Sequence, residues 1–148
     1  MEIGLPKDFK DFLRLLAAEG VEYLLIGGYA VAYHGFPRAT EDMDIWVAAR
    51  SDNAHRIVKV LREFGFDVPE LTEDLFLRAD SIVRMGVPPL RLELSTTIAG
   101  VEFDECYNSR VTDTIDGIPV SLINLPDLKK NKKATGRFRD LDDLERLP

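Results

Sequence analysis

The run Thr40-Glu41-Asp42-Met43-Asp44-Ile45-Trp46-Val47 constrains this chain more than any other segment. Residues two apart on a strand share a face. Met43, Ile45 and Val47 then face apolar packing, and Asp42 and Asp44 lie together on the opposite face. Adjacent carboxylates repel, a cation relieves the repulsion, and oxygen-only ligands suit Mg²⁺ or Mn²⁺. Just upstream, Ile26-Gly27-Gly28-Tyr29-Ala30 reads as a tight turn from a strand into a helix. The N-terminus of such a helix can hold a phosphate. Divalent metal and phosphate together point to nucleotide chemistry.

The 148 residues suit one domain with a real core, spanning 1–148. No apolar run reaches membrane-spanning length. The N-terminus, Met1-Glu2-Ile3-Gly4-Leu5-Pro6-Lys7, lacks the basic and apolar regions of a signal peptide. The single cysteine, Cys106, excludes an internal disulfide framework and fits a cytoplasmic location, with a buried packing role expected for it. A net charge of −7 argues against a broad nucleic-acid surface. One local exception is the cluster Lys129, Lys130, Lys132, Lys133, Arg137 and Arg139. It reads either as a solvated helix face or as a site for polyphosphate or a nucleic-acid backbone.

Hydrophobic spacing predicts a helix from Pro6 to Gly20, a strand over Val21–Ile26 and a short helix over Gly28–His34. Met43–Val47 is the second strand. A helix capped within Ser51-Asp52-Asn53 runs to Gly65, Phe66–Val68 is a small edge strand, and Thr72–Leu75 is one helical turn. Ser81–Val87 and Leu90–Ser95 are strands joined at Pro88-Pro89, with Leu90, Leu92 and Leu94 on one face and Glu93 on the other. Phe103–Ser109 is a short helix, and Val111–Ile115 with Ile118–Ser121 is a hairpin around Asp116-Gly117. From Leu125 the pattern is helical, broken at Gly136. The mixture implies an α/β or α+β fold, a sheet with helices on one side.

Gly27, Gly28, Arg38, Thr40, Asp42, Asp44 and Glu93 make a candidate site. Each element is weak alone, because tight turns use Gly-Gly and solvated strand faces carry acidic pairs. Their order is the specific signal. Neighbouring strands lie roughly 5 Å apart, so Glu93 can join the aspartate pair. Such a trio serves two-metal nucleotidyl transfer, with Asp42 and Asp44 as metal ligands. Glu93 completes the metal site and takes the proton of the attacking hydroxyl. Backbone N–H groups near Gly28 hold phosphates, and Arg38 or a tail lysine neutralises the leaving pyrophosphate.

The stretch from Ile26 through Gly27-Gly28, Gly35-Phe36-Pro37-Arg38 and Asp42-Met43-Asp44-Ile45 resembles the signature of the DNA polymerase β-like nucleotidyltransferase superfamily. It is most similar to the small prokaryotic branch of abortive-infection and toxin–antitoxin nucleotidyltransferases. Two further segments continue the likeness: Pro88-Pro89-Leu90-Arg91-Leu92-Glu93-Leu94, and Asn131-Lys132-Lys133-Ala134-Thr135-Gly136-Arg137-Phe138-Arg139-Asp140-Leu141. The resemblance implies a nucleotidyltransferase-like mixed sheet flanked by helices. It also implies a C-terminal helical tail, residues 125–148, packing on or near the site. It implies Mg²⁺ (or Mn²⁺) dependence and an NTP donor, with tRNA or a protein hydroxyl favoured as acceptor over a small molecule. A cognate antitoxin or self-association would supply what so small a chain lacks. Asp42 and Asp44 are then metal ligands, and Gly27 and Gly28 contact the triphosphate. Lys132 and Arg137 contact nucleotide phosphates, Asp140 orients Arg137, and His34 either approaches the site or has a packing or capping role. The third carboxylate is usually aspartate in this superfamily. Glu93 departs from that, and a methylene's displacement of roughly 1 Å can cost about a hundredfold in rate. A nucleotide- or partner-binding module that keeps the fold is the competing expectation.

Overall fold

The computed structural model describes residues 5–40, 42–87 and 91–148. Helix α1 (Lys7–Glu19) leads into strand β1 (Tyr23–Ile26), then helix α2 (Gly27–Tyr33) and strand β2 (Asp42–Val47). Helix α3 (Ser51–Phe64) and a 3₁₀ turn at Glu73–Phe76 precede strands β3 (Ile82–Met85) and β4 (Arg91–Ser95). Helix α4 (Phe103–Asn108), hairpin β5 (Val111–Ile115) and β6 (Ile118–Leu122), and helices α5 (Leu125–Thr135) and α6 (Phe138–Arg146) complete the chain. Pro88, Pro89, Leu90 and Glu41, which enter the sequence readings above, lie outside the described residues.

The strands form one mixed sheet in the order β3-β4-β2-β1-β6-β5. β2 runs antiparallel to β1 and parallel to β4, and β1 runs parallel to β6. The sheet is packed on both faces, which corrects the expectation of helices on one side. One face carries Tyr23, Leu25, Met43, Ile45, Val47, Leu92 and Leu94 against Phe9, Phe12, Leu13 and Leu16 of α1 and Ile57 and Leu61 of α3. The other carries Leu24, Ile26 and Trp46 against Ala30 and Val31 of α2, Cys106 of α4 and Leu128 of α5. β1 signals this in advance: all four of its residues are apolar and buried, which marks a strand covered on both sides. Asp42 and Asp44 therefore share the face of Trp46, at the end of β2 that the second layer leaves open.

Two local readings need correcting. Phe66–Val68 is not a strand. After the left-handed Gly65 (φ 118°), the Phe66 amide bonds back to the Leu61 carbonyl, and its ring folds to 5.8 Å from that of Phe64. Ser51-Asp52-Asn53 is the first turn of α3 rather than its cap, and Arg50 occupies the N-cap without making a capping side-chain bond. Asn53 is instead fully buried. Its Nδ2 donates to the carbonyls of Glu22 (3.0 Å) and Ala48 (2.9 Å), and its Oδ1 accepts from the Glu22 amide (2.8 Å). It ties α3 to the start of β1 and the end of β2. Asn53→Ala would leave the Glu22 amide and the Ala48 carbonyl without this partner, while the Glu22 carbonyl keeps the Ala48 amide, so we predict a loss of about 2 kcal/mol in urea unfolding.

Candidate active site

β2 and β4 are in register, with Asp44 opposite Glu93 and Asp42 opposite Arg91. Residues paired in this way share a sheet face. The three carboxylates predicted from the sequence therefore stand together. On the other side, Asp44 is opposite Ile26, the last residue of β1. Gly27 follows with φ +65°, and a Cβ built there would lie 2.0 Å from Asp44 Oδ2. Only glycine accommodates both the backbone conformation and the carboxylate. A Cβ at Gly28 would meet Thr40 Oγ1 at 2.7 Å. Thr40 thus braces the turn, and its hydroxyl bonds the Asp42 carbonyl at 3.2 Å. No side chain caps α2, so its first amides stay available at the cleft.

These residues open onto a cleft of about 500 Å³. All nine predicted site residues line it: Gly27, Gly28, Arg38, Thr40, Asp42, Asp44, Glu93, Lys132 and Arg137. Arg84 and Arg139 line it too, together with Asn131, Thr135, Ser95 and Thr97. A larger groove of about 720 Å³ lies between α1 and α3, but its wall, with Phe9, Leu15, Phe64, Phe66 and Leu92, carries none of the nine predicted site residues.

Three of the cleft's cations, Arg38, Lys132 and Arg137, are engaged with partners inside the protein. Arg38 forks onto Asp143 with two bonds of 2.9 Å. Lys132 is buried between Asp140 (2.9 Å) and Asp143 (3.1 Å). Asp140 also accepts from Thr135 and from Arg137, each at 2.6 Å. The orienting role expected for Asp140 matches this contact. Burial pushes the Asp140 carboxyl up, but the bonds from Thr135, Lys132 and Arg137 outweigh it and hold it at about 2. The network anchors α6 to α5 and to the loop before β2. Asp143, one of four acidic residues in α6, gave no sequence signal for its part in it. His34 lies outside the cleft lining, where it ends α2 and bonds the Ile123 carbonyl at 2.7 Å. Cys106 is buried, as expected.

The acidic side is organised differently. Arg91 grips Asp42 through Nε (3.1 Å) and Nη2 (2.7 Å), and Arg84 Nε holds Glu93 Oε2 at 3.0 Å. Among the described residues, Asp44 has no ion-pair partner, and no three His, Cys, Asp or Glu side chains are grouped as a ready-made metal cage. Burial, then the charges of Glu93 and Asp42, raise the Asp44 carboxyl to about 7, against the more distant pull of Lys132 and Arg139. This excess negative charge on oxygen donors is the setting in which a hard divalent cation binds. The carboxylates of Asp42, Asp44 and Glu93 are donors of the kind such an ion takes.

The architecture is nucleotidyltransferase-like. Two solved structures share it. One is a candidate nucleotidyltransferase from Thermotoga maritima, matched over 93% of this chain and 88% of that one, with TM-score 0.64 and 16% identity. The other is an antigenic nucleotidyltransferase-like protein from Paracoccidioides brasiliensis, matched over 96% of this chain and 76% of that one, with TM-score 0.53 and 19% identity. At these identities the likeness is one of fold. No family model matches the sequence, and no curated protein does. No helix among the described residues is long and apolar enough to cross a membrane.

The raised Asp44 carboxyl fixes a pH dependence. The folded metal-free chain binds this proton more tightly than the unfolded chain, whose carboxyl titrates near 3.8. Its contribution to stability is full below that value and is lost as the pH rises through about 7. Asp44→Asn should therefore raise Tm at pH 8 in the absence of metal. Millimolar Mg²⁺ should raise Tm of the wild type by mass action and leave the variant unmoved. Differential scanning calorimetry with and without EDTA reads both effects.

Proposed function

We propose that this chain is a metal-dependent nucleotidyltransferase that moves NMP from an NTP to a hydroxyl acceptor. One observation carries the reading. Asp42, Asp44 and Glu93 converge from two parallel strands on the uncapped Gly27-Gly28 turn, in a cleft whose far wall is cationic. Asp42, Asp44 and Glu93 would hold Mg²⁺ (or Mn²⁺). Bound there, the metal would lower the pKa of the attacking hydroxyl and stabilise charge on the transferring phosphoryl group. The amides of Gly27 and Gly28 donate to phosphate oxygens. Lys132, Arg38 and Arg137 place positive charge where pyrophosphate departs, with their positions fixed by Asp140 and Asp143. Glu93 accepts the proton of the acceptor hydroxyl.

The acceptor we favour is tRNA or a protein hydroxyl. Arg137 is largely exposed beside Arg139 at the rim, which suits an anionic backbone despite the net charge of −7. A toxin-like role in the cytoplasm, with an antitoxin partner or self-association completing acceptor binding, belongs to the same proposal. A second reading, a nucleotide- or partner-binding module with weak catalysis, is favoured by one feature. Asp42 and Glu93 are already occupied by Arg91 and Arg84.

Incubation with each α-labelled NTP, Mg²⁺ and total cellular RNA or protein tests the proposal. We expect label in one acceptor class, abolished by Asp42→Asn and by EDTA. Folded protein that transfers no label from any of the four nucleotides, yet is stabilised by them, would favour the second reading.

A further inference from the structure

Arg84 stands on β3, the edge strand of the sheet, directly opposite Glu93 in the antiparallel pair. Glu93 is in turn opposite Asp44. The three side chains form a row across three strands on one face, running from the sheet edge to the Gly27 turn. The two arginines on the acidic side are held differently. Arg91 forks onto Asp42 with two bonds, its side chain is 35% exposed, and it does not line the cleft. Arg84 makes a single bond, through Nε, its side chain is 57% exposed, and it does line the cleft. Its two terminal nitrogens have no partner among the described residues. An exposed pair held by one bond is worth little, so it exchanges readily. The guanidinium fork matches a phosphate as well as it matches a carboxylate.

We propose that Arg84 is an exchangeable counter-ion. It neutralises Glu93 before substrate binds, and it turns to the triphosphate when a metal-bound NTP enters and Glu93 is needed as a ligand. Nothing in the sequence motifs assigns Arg84 a role, and the inference rests on the nucleotidyltransferase reading. The exchange has a consequence that packing alone does not produce. Arg84 opposes the metal and favours the polyphosphate, so removing it shifts the two affinities in opposite directions. It also couples them, because an anion that draws Arg84 away raises metal affinity.

The test uses Mn²⁺ alone, followed by electron paramagnetic resonance of the free ion. Inorganic tripolyphosphate at saturating Mn²⁺, followed by calorimetry, then supplies the triphosphate charge without a base. For Arg84→Met we expect Mn²⁺ to bind about two- to fivefold tighter, and tripolyphosphate about tenfold weaker. Arg84→Lys should recover most of the tripolyphosphate affinity. Arg91→Met serves as the control at the fixed pair and should leave tripolyphosphate affinity within about twofold of wild type. If wild type binds both probes and Arg84→Met shifts both affinities the same way, or neither, the inference is overturned and the proposed function stands. A wild type that binds neither probe would remove the proposed function and this inference with it.

Discussion

Asp44 is pressed against the backbone of Gly27, with Glu93 opposite it on the next strand and no cation paired to it among the described residues. That contact is geometric as well as electrostatic. It demands a left-handed glycine where β1 turns into α2, and it forces a carboxylate into partial burial beside two others. A side chain in that position has an unfavourable charge unless a proton or a metal supplies what is missing. The glycine turn, the parallel register of β2 and β4 and the open end of the second layer all serve to create this one unsatisfied group.

Most of the other charged groups around the cleft are paired within the protein. Lys132, Arg38 and Arg137 are matched to Asp140 and Asp143, and Arg84 and Arg91 to Glu93 and Asp42. The two sets differ in burial. Lys132, Asp140 and Asp143 are almost wholly enclosed, and breaking such a cluster by removing one partner strands the others. It is suited to fixing geometry. The arginine pairs on the acidic strands lie nearer solvent and are suited to change. In the proposed function, a nucleotide with its cation would enter by exchange of these existing partners.

The acidic strand was readable because strand periodicity alone places Asp42 and Asp44 on one face and Met43 and Ile45 on the other. The glycine turn and the tail were readable from their residue types. Partner choice was not. Arg84 and Arg91 meet their carboxylates through the register of β3, β4 and β2, which no local pattern encodes. Arg38 and Asp143 are 105 positions apart, and only the packing of α6 joins them. Asn53 shows the opposite failure. A cap-like triplet hid a residue whose buried amide serves the two neighbouring strands. The second packed face was legible in the unbroken apolar run of β1, but the alternating pattern of β4 pointed to a one-sided sheet.

In the function proposed above, Asp44 and its neighbours hold a divalent cation next to an NTP. Anomalous diffraction from crystals grown with Mn²⁺ and a non-hydrolysable NTP tests it most directly. A manganese peak is expected within bonding distance of Asp42 and Asp44, with the triphosphate between the Gly27-Gly28 turn and Lys132. Manganese elsewhere, or a bound nucleotide with no metal at these carboxylates, would contradict it.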